Sequence, residues 1–362
     1  MTSQPHAGED GGDRLSALPD CLLHAIMSLL PARRAVQTCA LSRRWRDLWR
    51  SMPCLDIDGD EFTSSTTGSV RWDKFESFAT NLLQGHNAPF LDRFRLRLPS
   101  SWHVRGASNP RGAVAFSHRL KSLRLSRLVL DRGFGYTIRS WCPVLEAMEL
   151  NSCIFEFDEI TGNALRSLAI DGCSRRGLQM PDDALCVTAP KLTSLRIKFS
   201  IHDFSVFLVD RMGFLNDASI CKMFWSTTNF GNNVCSLLGS LLNVTKLNLS
   251  CIRLSEKHSD NSTNVPTFHK LTTLCFDACD LDKNLDILLS FLENAPHLEK
   301  AILQNCKDLR TTQSSPQDIK LFELYSRAAC WVFPARYATM SFFSFEIEKI
   351  KPNVQYDYAE PN

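Results

Sequence analysis

The sequence lacks the hallmarks of a membrane protein, a secreted protein and a general nucleic-acid-binding protein. It has no apolar run of about 18 residues, so we expect no membrane span. Its beginning is polar and acidic, without the basic and apolar regions of a secretory signal, which predicts a short disordered tail over residues 1–13. The formal net charge is only +2, whereas whole-chain binding to DNA or RNA needs a dominant basic surface. We therefore expect a protein of the cytoplasm or the nucleus.

Signatures of catalysis and of metal binding are also missing from the sequence. It contains no GxxxxGK[ST], HExxH, GxSxG or GxGxxG motif, and its nine histidines stand in no recognised catalytic signature. Its 14 cysteines form no CxxC pair, and the closest two, Cys275 and Cys279, are too widely spaced for a usual zinc site. We expect reduced thiols, no metal, no cofactor and no catalysis by the chain itself.

The N-terminal part of the chain divides into three predicted helices. Pro19 suits the first turn of a helix, and apolar residues at helical spacing follow it as far as Pro31, which ends the helix. A second short helix is predicted over 33–41. Ser42 can cap a third helix that runs to about Met52, before a proline.

The third predicted helix separates apolar from basic side chains. Spacing of i, i+4, i+7 and i+8 places four apolar residues on one side: Leu41, Trp45, Leu48 and Trp49. Its arginines fall mostly on the opposite side, which indicates a solvated face. Nucleic-acid binding remains an alternative, and it would depend steeply on salt and use Arg33, Arg34, Arg43, Arg44, Arg46 and Arg50.

These helices carry more apolar side chains than a core of about 40 residues can bury, so the rest of the chain or a partner must cover the surplus. The same segment resembles an F-box in the form common in plants. The matching parts are LPD at 18–20, LL at 22–23, LLPAR at 29–33, AVQTCALSRRWRDLW at 35–49 and the trailing CLDID. Cys21 and Ala25 depart from the usual acidic and basic residues of that family.

The resemblance implies a binding partner. In the F-box family the three-helix unit docks on a Skp-type adaptor, which joins it to a cullin in an SCF ubiquitin ligase. The resemblance therefore implies that ten residues face the adaptor or support those that do: Leu18, Pro19, Leu22, Ile26, Leu30, Pro31, Val36, Leu41, Trp45 and Trp49.

From about residue 90 an LxxLxL pattern recurs. It starts at Leu91, Leu120, Leu145, Leu165, Leu192, Val244, Leu271 and Leu298. The interval of 52 residues before Val244 is near twice the others, which predicts a degenerate repeat between residues 198 and 243. The pattern is typical of a leucine-rich-repeat solenoid with one short parallel strand per repeat. The predicted fold class is therefore α/β, with a three-helix F-box before the solenoid.

Cysteines recur three residues after the last apolar position of four repeats: Cys153, Cys173, Cys279 and Cys306. We expect each thiol to be buried in the turn after the strand and to form a weak hydrogen bond. Cys275 lies between two inward residues and should face outward, so it cannot share an ion with Cys279.

The complete arrangement resembles plant F-box/leucine-rich-repeat proteins, although the FBD module that many of them carry at the C-terminus is missing from the pattern. The expected domains are a tail (1–13), the F-box (14–55), a linker with an amphipathic helix at 72–83 (56–89), the repeats (90–310) and a divergent cap or tail (311–362). On the outward strand face, the best candidates for binding a target are Arg124, Glu149, Arg196 and Asn248.

The resemblance implies a function as the substrate-recognition subunit of an SCF ligase, with the F-box on the adaptor and the repeats on the protein to be ubiquitinated. The alternative is a noncatalytic repeat scaffold that binds partners without ubiquitin transfer. Both functions predict a protein partner and neither requires a membrane or nucleic acid.

Overall fold

The computed structural model describes residues 15, 17–63, 71–87, 91–99, 117–175, 184–198, 205–208, 213–221, 224–225, 237–251, 253–254, 265–279, 281–307, 331–332 and 342–349. The chain forms two compact units, Met1–Leu128 and Val129–Asn362. Among the described helices, none has the length and apolar character needed to cross a bilayer. The tail expected over residues 1–13 lies outside the described residues.

The first unit begins with short helices. Helix α1 spans Asp20–Met27 and α2 spans Ala32–Gln37, and a proline directly precedes each of them. This agrees with the prediction that Pro19 starts the first helix, because a proline costs nothing where the backbone N–H has no helical partner. Pro31 was predicted to end that helix, but α1 ends at Met27 and Pro31 instead precedes α2. Three 3-10 segments follow, at Thr38–Ala40, Arg44–Arg46 and Leu48–Ser51.

The prediction of a continuous third helix over 42–52 was wrong. Two of the 3-10 segments occupy this stretch, and their buried residues, Trp45 and Leu48, are three positions apart. A 3-10 turn has three residues, so it turns both side chains to the same side. Leu41 is 64% exposed while Trp45 is 3% exposed, so the four apolar residues do not share one face.

The remainder of the first unit packs a helix and a small parallel sheet. Strands β1 (Cys54–Asp58), β2 (Arg93–Arg97) and β3 (Ser122–Ser126) pair in that order. Helix α3 (Trp72–Gly85) buries Phe75, Ala79 and Leu82, which confirms the predicted amphipathic helix. A further 3-10 turn, Gly59–Phe62, follows β1.

The second unit contains a series of similar parallel strands that pair in the same register. Its main parallel sheet runs β5 (Ala147–Asn151), β8 (Ser167–Asp171), β11 (Ser194–Lys198), β13 (Asp217–Cys221), β15 (Lys246–Ser250), β17 (Thr273–Asp277) and β18 (Lys300–Lys307). Corresponding residues of neighbouring strands lie opposite one another without a shift. Strand β13 is the degenerate repeat that the interval predicted, and Leu215, Ala218 and Ile220 fill its three buried positions.

Shorter parallel strands form three further sheets in the second unit. The first sheet contains β4 (Val129–Leu130), β6 (Ile154–Phe155) and β9 (Ser174–Arg175). The second contains β7 (Glu159–Thr161), β10 (Ala184–Thr188) and β12 (Ser205–Leu208). The third contains β14 (Phe224–Trp225) and β16 (Arg253–Leu254). Helices α4 (Phe134–Trp141) and α5 (Leu281–Glu293) occupy two of the segments between main strands. The predicted parallel-strand solenoid is therefore confirmed.

Three of the recurring cysteines lie in the turns after main strands, and the fourth, Cys306, lies within β18. Cys153, Cys173, Cys279 and Cys306 are all buried. Three of them reach the preceding repeat: the thiol of Cys173 donates to Leu150 O at 3.2 Å, that of Cys279 to Leu249 O at 3.7 Å and that of Cys306 to Phe276 O at 3.5 Å. Cys275 is half-buried on the outward side. The predicted structural role of these thiols is confirmed.

The last described strands reverse direction. β20 (Phe342–Lys349) pairs antiparallel with β18, and β19 (Trp331–Val332) pairs antiparallel with β20. The sheet therefore ends on a strand from the segment in which the sequence predicted a divergent cap or tail. Most of that segment, 311–362, lies outside the described residues.

Candidate functional site

Exposed apolar side chains are concentrated on one side of α1 and just beyond it. Leu22 is 49% exposed, Ile26 38% and Leu29 84%. Their spacing of i, i+4 and i+7 places them along one side of the helical path. The other side of α1 is fully buried through Leu23 and Met27. A helix that is apolar on two sides, with only one side covered by its own chain, indicates a partner on the open side.

Polar contacts join α1 to the 3-10 segments that follow it. His24 Nε2 lies 3.1 Å from Leu48 O and 3.2 Å from Ser51 Oγ, so the imidazole joins α1 to the 3-10 segment that follows. Arg44 Nη2 lies 2.7 Å from Asp20 Oδ1 at the start of the helix. His24 therefore has a structural role, because its ring joins α1 to the segment Leu48–Ser51.

The ten residues implied by the resemblance fall into three groups by exposure. Pro19, Leu22, Ile26 and Leu41 are exposed. Leu18, Leu30, Pro31, Val36 and Trp49 are partly exposed. Trp45 lies inside the unit, and so it can only support the residues that face outward. Trp49 packs beside Gly85 of α3, where a built Cβ would lie 2.6 Å from its Cη2.

Leu29 was absent from the ten residues, although it is the most exposed of the large apolar side chains named for the described residues. The sequence placed it at helical spacing with its neighbours and so suggested burial. The signal that could have found it is its spacing, because Leu29 continues the i, i+4, i+7 line of Leu22 and Ile26, away from the buried Leu23 and Met27. We call Leu22, Ile26, Leu29 and Leu41 the exposed apolar set.

Three arginines of this region, Arg33, Arg44 and Arg50, have local partners. Arg44 pairs with Asp20, and Arg50 pairs with Asp47 at 3.3 Å and lies over the ring of Trp49. Arg33 donates to Glu61 O and covers the ring of Phe62 at 4.9 Å. Because acidic groups and aromatic rings occupy these side chains, their arrangement favours local packing over a basic stripe.

The outward face of the strands holds the predicted target-binding residues. Arg124 is exposed on β3, in the first unit. In the second unit the strand register aligns the other three in one row, with Ala169 between Glu149 and Arg196, and Ser219 between Arg196 and Asn248. Glu149 accepts from Asn151 at 3.0 Å, and Asn248 Oδ1 lies 3.2 Å from Ser250 Oγ.

The described residues include titratable side chains of the types that a metal site requires. None of their histidines, cysteines and acidic residues form a group of three or more that could hold a metal ion. Burial and the nearby carboxylate of Asp277 raise the pKa of the outward Cys275 to about 11, so its thiol stays protonated and weakly nucleophilic at neutral pH.

Comparisons with known proteins agree with these features. The family model of the F-box domain matches residues 15–56. The MEIOTIC F-BOX protein MOF of Oryza sativa subsp. japonica is 31% identical over 356 residues, covering 82% of this chain and 72% of that protein. An F-box/FBD/LRR-repeat protein of Arabidopsis thaliana is 28% identical over 379 residues, covering 84% of this chain and 79% of the relative. F-box/LRR-repeat protein 13 of the same plant is 25% identical over 366 residues, with 82% and 78% covered.

Proposed function

Because the chain belongs to the plant F-box/leucine-rich-repeat family, we propose that it is the substrate-recognition subunit of an SCF-type ubiquitin ligase. Its F-box docks on a Skp-type adaptor, the adaptor joins it to a cullin, and the repeats hold the protein to be ubiquitinated. The place of action is the cytoplasm or the nucleus. The chain is non-catalytic in this role, since it raises the local concentration of the target beside the charged ubiquitin carrier.

The observation that carries the proposal is the two-sided apolar character of α1. Leu23 and Met27 secure the helix to its own unit, while Leu22, Ile26 and Leu29 stay exposed. Burying a fully exposed leucine or isoleucine side chain contributes about 1.5–3 kcal/mol. Three such residues therefore supply part of the free energy that offsets the cost of association. Both sides of the helix lie within the segment that matches the F-box domain.

A co-purification experiment tests the adaptor contact. We expect the full chain, co-expressed with a Skp-type adaptor, to copurify with it at a 1:1 ratio. The variant Leu22→Ser/Ile26→Ser should weaken the complex by about 2–4 kcal/mol, which corresponds to a fall in affinity of roughly 30- to 1,000-fold. Circular dichroism checks that the variant is folded, because both side chains are exposed and their loss should leave the unit intact.

Tyr136→Ser in α4 is the matched control, since Tyr136 is 71% exposed but belongs to the second unit. It should copurify like the wild type. A well-folded wild-type chain that forms no complex with the adaptor would contradict the proposal. The noncatalytic repeat scaffold would then be the better function, with another partner on the exposed apolar set.

A further inference from the structure

We propose that the outward face of the repeat sheet around Arg196 binds an extended peptide segment of the target that carries a carboxylate side chain and, roughly six residues away, an apolar side chain. The inference rests on one part of the proposed function, namely that the repeats bind the target. It adds the chemical class of the segment that is bound and the residue that recognises its charge.

The register of the strands defines the surface. In the middle outward row of the second unit, neighbouring strands contribute Ala169, Arg196, Ser219, Asn248, Cys275 and Ile302 in that order. Each of these side chains alternates with buried neighbours on its own strand, so the row faces away from the core. Arg196 is the only charged member of this row from Ala169 to Ile302, and Glu149 of β5 occupies the next position beyond Ala169.

Arg196 is exposed and uncovered from both sides. Its direct neighbours, Ala169 on β8 and Ser219 on β13, have short uncharged side chains. Within the part of the chain that the structure describes, no hydrogen bond, ion pair or ring contact involves its guanidinium. A guanidinium can donate two parallel hydrogen bonds to one carboxylate, and the small neighbours leave space for that approach.

Each carboxylate diagonally adjacent to Arg196 has another cation directly opposite it on a neighbouring strand. Asp171, diagonally across on β8, lies 3.2 Å from Lys198 Nζ. Asp217, diagonally across on β13, stands directly opposite Lys246 of β15 in the register. From β8 to β15 the outward positions therefore hold two carboxylates and three cations, and Arg196 is the cation with no carboxylate directly opposite it. One surplus cation complements a single carboxylate rather than a polyanion, and so favours a peptide over a nucleic acid.

The outward residues between Arg196 and Ile302 indicate which other side chains the bound peptide should have. It continues through neutral Asn248 and the protonated thiol of Cys275 to the half-buried, apolar Ile302. Four strand steps separate Arg196 from Ile302, which is roughly 19 Å at a spacing of about 4.8 Å per step. An extended chain advances about 3.3 Å per residue, so roughly six residues bridge this distance. Neutral residues suit the positions between the carboxylate and the apolar side chain.

Selection from a random library of displayed dodecapeptides on the full chain tests the inference. We expect the selected peptides to share an Asp or Glu and, about six residues away, a Leu, Ile or Val. Arg196→Ala should abolish the acidic enrichment, and Arg196→Glu should replace it with Lys or Arg at the same position. Arg139→Glu is the matched control, because Arg139 is an exposed arginine of α4 and should leave the selection unchanged.

Fluorescence anisotropy then measures the best labelled peptide. Changing its acidic residue to the corresponding amide should weaken binding at least 10-fold to the wild-type chain and hardly at all to Arg196→Ala. The inference would be overturned if the wild-type chain selects no peptide, or if the selected peptides show no enrichment of acidic residues. It would also be overturned if the Arg196→Glu variant selects the same acidic peptides as the wild type. A labelled single-stranded RNA that competes for Arg196 would also overturn it, by assigning the face to nucleic acid.

The same preparations separate this inference from the ligase role. Arg196→Glu should still copurify with the Skp-type adaptor, since the substitution lies in the second unit. Peptide selection through Arg196 without any adaptor complex would overturn the ligase role and retain the peptide site. An adaptor complex without peptide selection would overturn the peptide site and retain the ligase role.

Discussion

At the residue scale, a left-handed backbone conformation recurs directly after the repeat strands and, at Asn305, within β18. The residues in this conformation have φ between 51° and 65°, and they are Arg127, Ser152, Gly172, Cys251, Ala278 and Asn305. Non-glycine residues pay about 1–2 kcal/mol for this geometry, because the Cβ crowds the backbone. A recurring cysteine directly follows several of these left-handed residues. The strained backbone conformation turns the buried thiol toward a carbonyl oxygen of the preceding repeat, where it donates a hydrogen bond.

Exchange of glycine and alanine at two of these turns should change stability in opposite directions. Gly172→Ala should lower the free energy of unfolding by about 1 kcal/mol, and Ala278→Gly should raise it or leave it unchanged. The cost at Gly172 is conformational, since a built Cβ would meet no atom closer than 3.7 Å. Urea unfolding measures both values. Gly239→Ala, in open space and without a positive φ, is the control, and an equal cost there would refute the explanation.

The buried His86 should make the stability of the first unit depend on pH. Its Nε2 lies 2.8 Å from Met52 O, and its Nδ1 is buried without a partner among the described residues. Burial lowers the pKa of the imidazole below its ordinary value. The unfolded chain then binds the proton more readily than the folded chain, so stability is present above about pH 6.5 and is lost as the pH falls below it.

Urea unfolding at pH 7.5, 6.5 and 5.5 checks this prediction. The wild type should lose stability over that range, and His86→Gln should lose less, because glutamine keeps a donor for Met52 O but does not titrate. Glu61, whose pKa is raised by burial, is present in both chains and cancels from the difference. Identical pH dependence of the two chains would show that His86 does not titrate differently in the folded state.

At the scale of elements, the two short helices and the amphipathic helix α3 could be predicted because prolines and apolar spacing mark them. The 3-10 segments at Arg44–Arg46 and Leu48–Ser51 could not. Residues three and four apart both lie near one another on a helix, so Trp45, Leu48 and Trp49 suit an α-helix as well as tighter turns. The packing partner decides between them, and Trp49 has that partner in Gly85, which is far away in the sequence.

The contact of Trp49 with α3 predicts a destabilising alanine. Alanine is the better helix former, yet Gly85→Ala would place its Cβ 2.6 Å from Trp49 Cη2. The ring or the helix must move, so we expect a loss of about 1–3 kcal/mol in the free energy of unfolding, measured by urea unfolding with tryptophan fluorescence. Gln84→Ala, at an exposed neighbouring position, should be neutral. Equal stability of the two variants would contradict the close approach.

At the scale of the whole molecule, the repeat architecture could be predicted because each LxxLxL pattern identifies both a strand and the residues that the strand buries. Even the degenerate strand β13 followed from an interval of doubled length. Two features could not be predicted. CLDID reads as the end of the F-box, yet β1 pairs with β2 as part of a sheet. The reversed strand β20 has no leucine pattern, since an antiparallel end strand does not follow the repeat.

Removal of that reversed strand should cause association. A chain that ends after residue 307 leaves the outer edge of β18 without its partner β20, and an open strand edge of a repeat protein favours pairing between molecules. We expect higher-order species in size-exclusion chromatography with light scattering. A chain lacking only residues 351–362 keeps β20 and should behave like the full-length protein. Monodisperse behaviour of the shorter chain would show that the edge is protected in another way.

The in-phase register has a consequence for how this protein tolerates changes in length. Twenty residues separate Leu145 from Leu165, and 29 separate Leu215 from Val244, yet the strands of both pairs of repeats belong to one sheet without a register shift. Insertions between strands are therefore absorbed where they occur and leave the rest of the sheet in phase. A single residue inserted between Leu195 and Ile197 would instead exchange the inward and outward faces of the strand beyond it. Indels should thus be accepted or rejected according to position, almost irrespective of size.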